Sequence, residues 1–219
     1  MTKTDLNQIR SDIQSLPNPT VPAARLLRRT WSKRLKHYDG QAMLTFALKL
    51  QQIEAGFHRF IAQELVHHHQ PAMSALQTNW LRQFGTGIAT WDAVDVFASY
   101  LSGPAWREGQ TTDAEIKRWA KSDDLWWRRA ALVSTVPLNN KARGGSGDTP
   151  RTLMICEMLI DDREDMVVKA MSWALRELAK RDPAAVQRFV TQHKNTLAAR
   201  VLREVDNKLS TGKKNPKTL

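Results

Sequence analysis

Apolar residues in this chain recur with a period near 3.6 wherever they cluster, and no segment keeps the alternation of two that a half-buried strand needs. Met43, Phe46, Ala47 and Leu50 hold this spacing, as do Phe57, Ile61, Leu65 and Val66, and again Val167, Ala170, Met171, Ala174 and Leu178. An all-α chain follows. Helix starts and stops are read from prolines, glycines and capping residues. The expected helices are one over 21–37 opened by Pro22, one after a cap at Asp39, Phe57 to about His68, and Pro71 through Leu81. Phe84-Gly85-Thr86-Gly87 is a turn, and Trp91 to Leu101 is a helix ended by Gly103-Pro104. Residues 104–111 read as loop. Thr112 caps the next helix, Ser122-Asp123-Asp124 turns into one from Leu125, and Pro137 closes that one. Asn139–Asp148 has the most flexible internal composition, with Lys141 and Arg143 on it. Helices from Pro150, from Glu164 to Arg181, from Pro183 and from a cap at Thr196 complete the chain.

The second half repeats itself. Trp126-Trp127-Arg128-Arg129-Ala130-Ala131 lies over Met166-Val167-Val168-Lys169-Ala170-Met171, each after an acidic turn, and Arg129 and Lys169 are 40 residues apart (169 − 129). This falls at the helix-pair repeat length of HEAT or armadillo (ARM) proteins, ~40–47 residues. The expected architecture is a helical-pair repeat solenoid, curved, with a concave basic face. A basic residue at one place in successive repeats would form a ladder on that face, near helix starts whose N–H groups favour anions. The domain reading is a polar segment over 1–20 containing a short amphipathic piece, a single repeat domain over 21–209, and a disordered basic tail over 210–219.

Charge narrows the partners. Lys and Arg number 33 against 22 Asp and Glu, a formal +11 with a pI of about 10.1, the footprint of a phosphate-backbone binder. Basic proteins without such a partner exist, but eight tryptophans among the basic residues favour nucleic acid over a membrane surface. No apolar run approaches the ~20 residues of a membrane span, and Met1-Thr2-Lys3-Thr4-Asp5 opens no signal-peptide core. The single cysteine, Cys156, excludes an intrachain disulfide framework and sits in an apolar pattern as filler. These features point to a cytoplasmic protein, monomeric by default. His67-His68-His69 cannot share one helical face, and it reads as favourable placement at a helix C-terminus rather than a metal site. The basic run of Arg25, Arg28, Arg29, Lys33, Arg34 and Lys36 is either a solvated face or a DNA-facing one.

Chemistry concentrates in Thr90-Trp91-Asp92-Ala93-Val94-Asp95. With Thr90 as N-cap, Trp91 and Asp95 stand at i and i+4 on one side of a helix. A carboxylate beside an aromatic face suits a cationic, planar substrate. Acids in a first turn also simply complement the helix dipole, which accounts for Asp92 better than for Asp95. Trp31, Trp80, Trp106, Trp119 and Trp126 read as packing. Trp127 and Arg128 cannot share the face of Arg129.

The segments TWDAVD (90–95), SDDLWWRRAAL (122–132) and VKAMSWALRELAK (168–180), in this order and spacing, resemble the DNA alkylation repair family of AlkD-type HEAT-like DNA glycosylases. The resemblance runs from about Pro22 to Asn207 and is specific in the second half. It implies an all-helical enzyme that excises N3- and N7-alkylated purines from duplex DNA held in a basic cleft, with no cofactor and no metal. By the same resemblance Asp95 is the catalytic carboxylate. Trp91 and Trp173 flank the deoxyribose of the lesion, and Arg129 and Arg176 contact the DNA backbone, with Lys169 a further phosphate contact. The chain departs from the family pattern at Leu26, where a tyrosine is usual, and in the basic run through Lys36, which replaces a Phe-Leu-Gly-type loop. Both departures bear on the substrate range.

The chemistry suits one carboxylate. Hydrolysing an ordinary glycosidic bond takes two, one of them to protonate the leaving group. A purine alkylated at N3 or N7 is already cationic and leaves without that acid. The alternative is a non-catalytic HEAT-like module that binds nucleic acid through the same arginines, and a third is a protein-interaction solenoid. A binder has no use for a carboxylate facing a polyanion, so the joint set of Trp91, Asp95 and Trp173 separates the readings.

Overall fold

The computed structural model describes residues 3–17, 20–53 and 56–216. Met1 and Thr2, the Asn18-Pro19 part of the expected turn and the last three residues of the expected tail lie outside the described residues. Among those described, every regular element is helical. Contacts divide the chain into two compact units, Met1–Ile88 and Ala89–Leu219, whereas the sequence reading drew its boundaries near residues 20 and 209.

The first unit contains α1 (Lys3–Gln14), α2 (Val21–Arg34), α3 (Gly40–Ile53), α4 (Phe57–His67), α5 (Gln70–Ala75) and α6 (Thr78–Gly85). α3 packs against α1, α4, α5 and α6, and its apolar positions Met43, Leu44, Phe46, Ala47 and Leu50 are fully buried. The amphipathic piece of the N-terminal segment is a helix of this unit, with Ile9 fully buried. Much of the basic run is internally spent. Arg25 and Arg28 of α2 both donate to the buried Glu64 of α4, at 2.8 and 3.2 Å, and Arg34 pairs with Asp5 at 2.7 Å. Arg29, Lys33 and Lys36 stay exposed, as does Leu26. Where one helix was expected from Pro71 to Leu81 there are two, because Leu76 and Gln77 adopt extended backbone. α6 also runs through Gly85, the second residue of the expected turn. His69 caps α5, its Nδ1 accepting from the Ala72 N–H at 3.2 Å.

The second unit contains α7 (Trp91–Phe97), α8 (Gly103–Arg107), α9 (Asp113–Ala120), α10 (Leu125–Asn139), α11 (Thr149–Met158), α12 (Asp165–Leu178), α13 (Pro183–Gln192) and α14 (Ala199–Thr211). Side chains of Thr112, Asp124, Asp148 and Asp182 cap α9, α10, α11 and α13. Helices pair as α9 with α10, α11 with α12 and α13 with α14, while α10, α12 and α14 pack side by side in succession. α10 and α12 begin 40 residues apart (165 − 125), which matches the sequence offset, and α14 follows after 34 (199 − 165). The last helix starts at Ala199 rather than at a Thr196 cap. Residues just beyond it fold back, with Lys214 3.4 Å from Glu204.

Two corrections concern prolines. Gly103-Pro104 does not end the helix begun at Trp91. A π turn, Ala98–Ser102, joins α7 directly to α8, so the expected 104–111 loop is helical to Arg107. Proline carries no N–H and its ring crowds the carbonyl four residues earlier; the wider turn accommodates both. Likewise α10 continues through Pro137 to Asn139. The Asn139–Asp148 segment is also firmly held, against its composition. Gly147 N–H donates to Leu138 O at 3.0 Å, Arg181 donates to Asn139 O and Gly145 O at 2.8 and 2.9 Å, and Asn139 bonds Thr152 and Asp148.

At Gly103 the backbone of α8 comes close against α10. A Cβ there would stand 2.6 Å from Ser134 O and 2.7 Å from Pro137 Cγ, neither of which can give way. Gly103→Ala is therefore expected to destabilise the protein by about 1–3 kcal/mol, seen as a lowered denaturant midpoint at unchanged slope.

Candidate functional site

α7 carries the first two candidate residues. It opens after Thr90, which is extended but forms no side-chain cap bond, and Asp92 supplies the first-turn acid. Val94 and Phe97 are fully buried, and Phe97 packs on Trp119 and Trp127, with ring centroids 5.8 and 6.0 Å away. That anchor leaves the opposite side of α7 at the rim. Trp91 is 56% exposed, an unusual position for the largest side chain, and Asp95 follows one turn later.

Asp95 is bound to Arg129 of α10 by a two-point ion pair. Arg129 Nε and Nη2 reach Oδ1 at 3.1 and 2.8 Å, and Nη2 also reaches Oδ2 at 3.0 Å. Arg129 Nη1 donates to Met166 O in the first turn of α12 at 2.5 Å. One arginine thus ties α7, α10 and α12 together. It is buried, at 5% exposure, and all three of its guanidinium nitrogens donate within the protein. The structure therefore directs Arg129 at Asp95 and at the start of α12. Asp95 keeps a window to solvent, its side chain 20% exposed. Oδ2 accepts one hydrogen bond, from Arg129 Nη2, and retains acceptor capacity.

Burial pushes the Asp95 carboxyl above its usual range. The Arg129 charge and hydrogen bonds oppose that rise without cancelling it, Asp92 adds to it, and Arg143 lowers it slightly. Desolvation disfavours the charged form, and an ion pair is the standard counterweight.

α12 carries the remaining three candidates. Met166, Lys169, Trp173 and Arg176 stand at i, i+3, i+7 and i+10 on one strip of the helix, which starts where Arg129 docks. By helical rise Trp173 lies about 10 Å along the axis from Met166. Trp173 is half-buried. Lys169 is paired with Asp165 at 2.7 Å, both largely exposed, an arrangement that contributes little and is easily exchanged. Arg176 Nε donates to Ser172 Oγ at 3.2 Å and lies 3.8 Å from Glu204 Oε2. Ser172 in turn donates to Glu204 at 2.6 Å. Burial pushes Glu204 up, but Ser172, Lys214 and Arg176 outweigh it and hold the carboxyl below its usual value.

The structure thus brings Asp95 and Arg129 into direct contact and joins them to the start of the α12 strip. Trp91 accompanies Asp95 on α7, while Trp173, Lys169 and Arg176 share α12 and make their contacts locally. Sequence reasoning passed over Ser172 and Glu204, the pair behind Arg176. The signal for Glu204 was an acid at a buried position of α14, beside the apolar Val201 and Val205. It also left Arg128 out of the site, and Arg128 is held by Asp162 at 2.7 Å and by two backbone carbonyls. Cys156 is fully buried, and burial pushes its thiol up. Among the described residues no group of three His, Cys, Asp or Glu side chains is placed to hold a metal ion. No helix among them is long and apolar enough to cross a membrane.

None of the curated proteins compared matches the chain. A sequence model of the family described as DNA alkylation repair enzyme does match, over residues 19–209, which takes in α2 through α13 and nearly all of α14. With most of the chain covered, and with the carboxylate, tryptophans and arginines on helices of one unit, the protein belongs to the DNA alkylation repair enzyme family.

Proposed function

We propose that the protein is a DNA glycosylase that excises N3- and N7-alkylated purines from duplex DNA by hydrolysing the N-glycosidic bond. The helix pairs act as HEAT-like repeats, and the duplex lies along a basic side that includes Asp95. The observation that carries this reading is the partly exposed, desolvated Asp95 carboxylate, fixed by Arg129 on a helix whose only large exposed aromatic is Trp91. A repeat protein that merely holds phosphates gains nothing from a negative charge at that rim.

The step is the loss of a cationic base. As the glycosidic bond breaks, its electron pair leaves with the purine, which becomes neutral, and positive charge moves to the sugar. Asp95 stabilises that developing cation at short range in a partly dry site, where preorganised charge counts most. Oδ2 retains a lone pair with which to orient the attacking water and take its proton. Arg129 weakens the field of Asp95, but it keeps the carboxyl ionised against desolvation and fixes its direction. Trp91 and Trp173 cover the sugar and add cation–π attraction of about 0.5–2 kcal/mol each. Arg176 and Lys169 neutralise phosphates and set register without reading sequence. Nothing in this scheme requires a metal or an organic cofactor.

The decisive experiment measures free 7-methylguanine and 3-methyladenine released from methylated duplex DNA. Wild-type protein releases one or both, and Asp95→Asn reduces the rate by at least about a hundredfold, a loss typical of removing a transition-state charge. If wild type releases neither base yet binds the duplex, the protein is a non-catalytic nucleic-acid module. Replacing Trp91 or Trp173 with alanine is expected to slow release roughly 2- to 30-fold, the kinetic equivalent of one cation–π contact.

The pH profile gives a separate check. Release needs ionised Asp95, and burial raises its pKa. The rate should fall as pH drops through a midpoint above the ordinary aspartate value of about 4. Arg129→Gln removes the cation that lowers this pKa, so it should shift the limb to higher pH. A limb in the same place in both proteins would contradict the assigned partnership.

A further inference from the structure

The loop after α10 places one more cation beside Asp95. Ser99 lies one turn beyond Asp95, inside the π turn, where the Gly103 N–H donates to Ala98 O. Carried one residue on, that register would pair Ser99 O with the nitrogen of Pro104, which has no hydrogen. Arg143 takes up this acceptor instead, its Nη1 donating to Ser99 O at 3.4 Å. The same guanidinium lies over the Tyr100 ring, 4.9 Å from its centroid.

Its backbone is fixed as well. Arg143 N–H donates to Asn140 O at 3.0 Å, and its carbonyl accepts from Arg107 Nη1 at 2.7 Å. Gly144 turns the chain with a left-handed φ of 82°, and Gly145 and Gly147 bond back to Asn140 and Leu138. A Cβ on Gly145 would fall 2.2 Å from Pro137 O, so only glycine lets the loop close this tightly.

Each of the site's other cations faces an acid. Arg129 is spent on Asp95 and Met166, Arg176 turns its Nε to Ser172 and Glu204, and Lys169 holds Asp165. Arg143 gives up one long hydrogen bond and, among the described residues, faces no acid at ion-pair distance. A strand brought past Asp95 meets a carboxylate, and it needs a positive charge close by whose donors are free. A planar guanidinium already immobilised on an aromatic ring presents those donors at low entropic cost.

We propose that Arg143 binds a backbone phosphate of the DNA strand whose damaged nucleotide docks at Asp95. This rests on the reading of Asp95 as the place where that nucleotide docks, and it adds an anion site built by the 139–148 loop.

The test is affinity for a duplex containing a tetrahydrofuran abasic-site analogue, measured over a salt series with the full chain. Arg143→Gln is expected to weaken binding about tenfold at physiological salt and to reduce the slope of log Kd against log salt by about one, the mark of one lost phosphate contact. Arg143→Lys keeps a charge, so it should retain the wild-type slope with intermediate affinity. A glutamine variant with wild-type slope and affinity within twofold overturns the proposal. So does a lysine variant as impaired in slope as the glutamine one, since loop structure rather than charge would then be what was lost. Base release by wild type is scored separately. No release sinks the glycosylase reading, whereas release with an unaltered Arg143→Gln salt slope sinks only the phosphate assignment.

Discussion

The second unit hangs on what Arg129 does with its five N–H groups. Three hydrogen bonds hold Asp95 and a fourth holds the carbonyl of Met166, so a single buried cation fixes three helices and the half-buried carboxylate of α7. Removing either member of such a pair leaves a poorly solvated charge behind, and this makes the arrangement stiff. Stiffness is what electrostatic catalysis asks for, because a carboxylate that must reorient loses much of its advantage. The same pair opposes the upward pull of burial on the Asp95 carboxyl.

Charge in this protein is largely spoken for. The formal +11 suggests a broadly cationic surface, but many arginines are structural. Arg25 and Arg28 neutralise Glu64, Arg128 holds Asp162, Arg151 bridges Asp113 and Asp148, and Arg181 stitches the 139–148 loop. The cations with donors to spare are therefore fewer than the composition implies. Arg143, the outer nitrogens of Arg176 and the exchangeable Lys169 stand on elements of the unit that holds Asp95.

Helix content and the 40-residue offset were legible because they follow from local periodicity: one apolar stripe per helix, one acidic cap per repeat. Trp91 and Asp95 were legible as a pair because i and i+4 is a local relation. Arg129 was legible as a candidate, but its pairing with Asp95 was not, since the sequence cannot say that an arginine at a helix start meets a carboxylate 34 residues away. The helix ends read from Pro104 and Pro137 failed for the opposite reason. A proline removes one hydrogen bond, but tertiary packing against Ser134 and the surrounding core outweighs that loss. Composition also misread Asn139–Asp148. Its glycines are there for close approach to α10, and a tightly closed loop and a loose one share the same letters.

The π turn at Ala98–Ser102 holds one residue more than an α turn would, and that surplus rotates everything after it by about 100° relative to an uninterrupted helix. The stretch before it can leave Trp91 and Asp95 at the rim while the stretch after it swings Ala105 and Trp106 fully into the interior. In an unbroken helix those two demands would compete for a single face. The phase slip separates them, so the spacing between Asp95 and Trp106 is constrained as tightly as the identity of either residue.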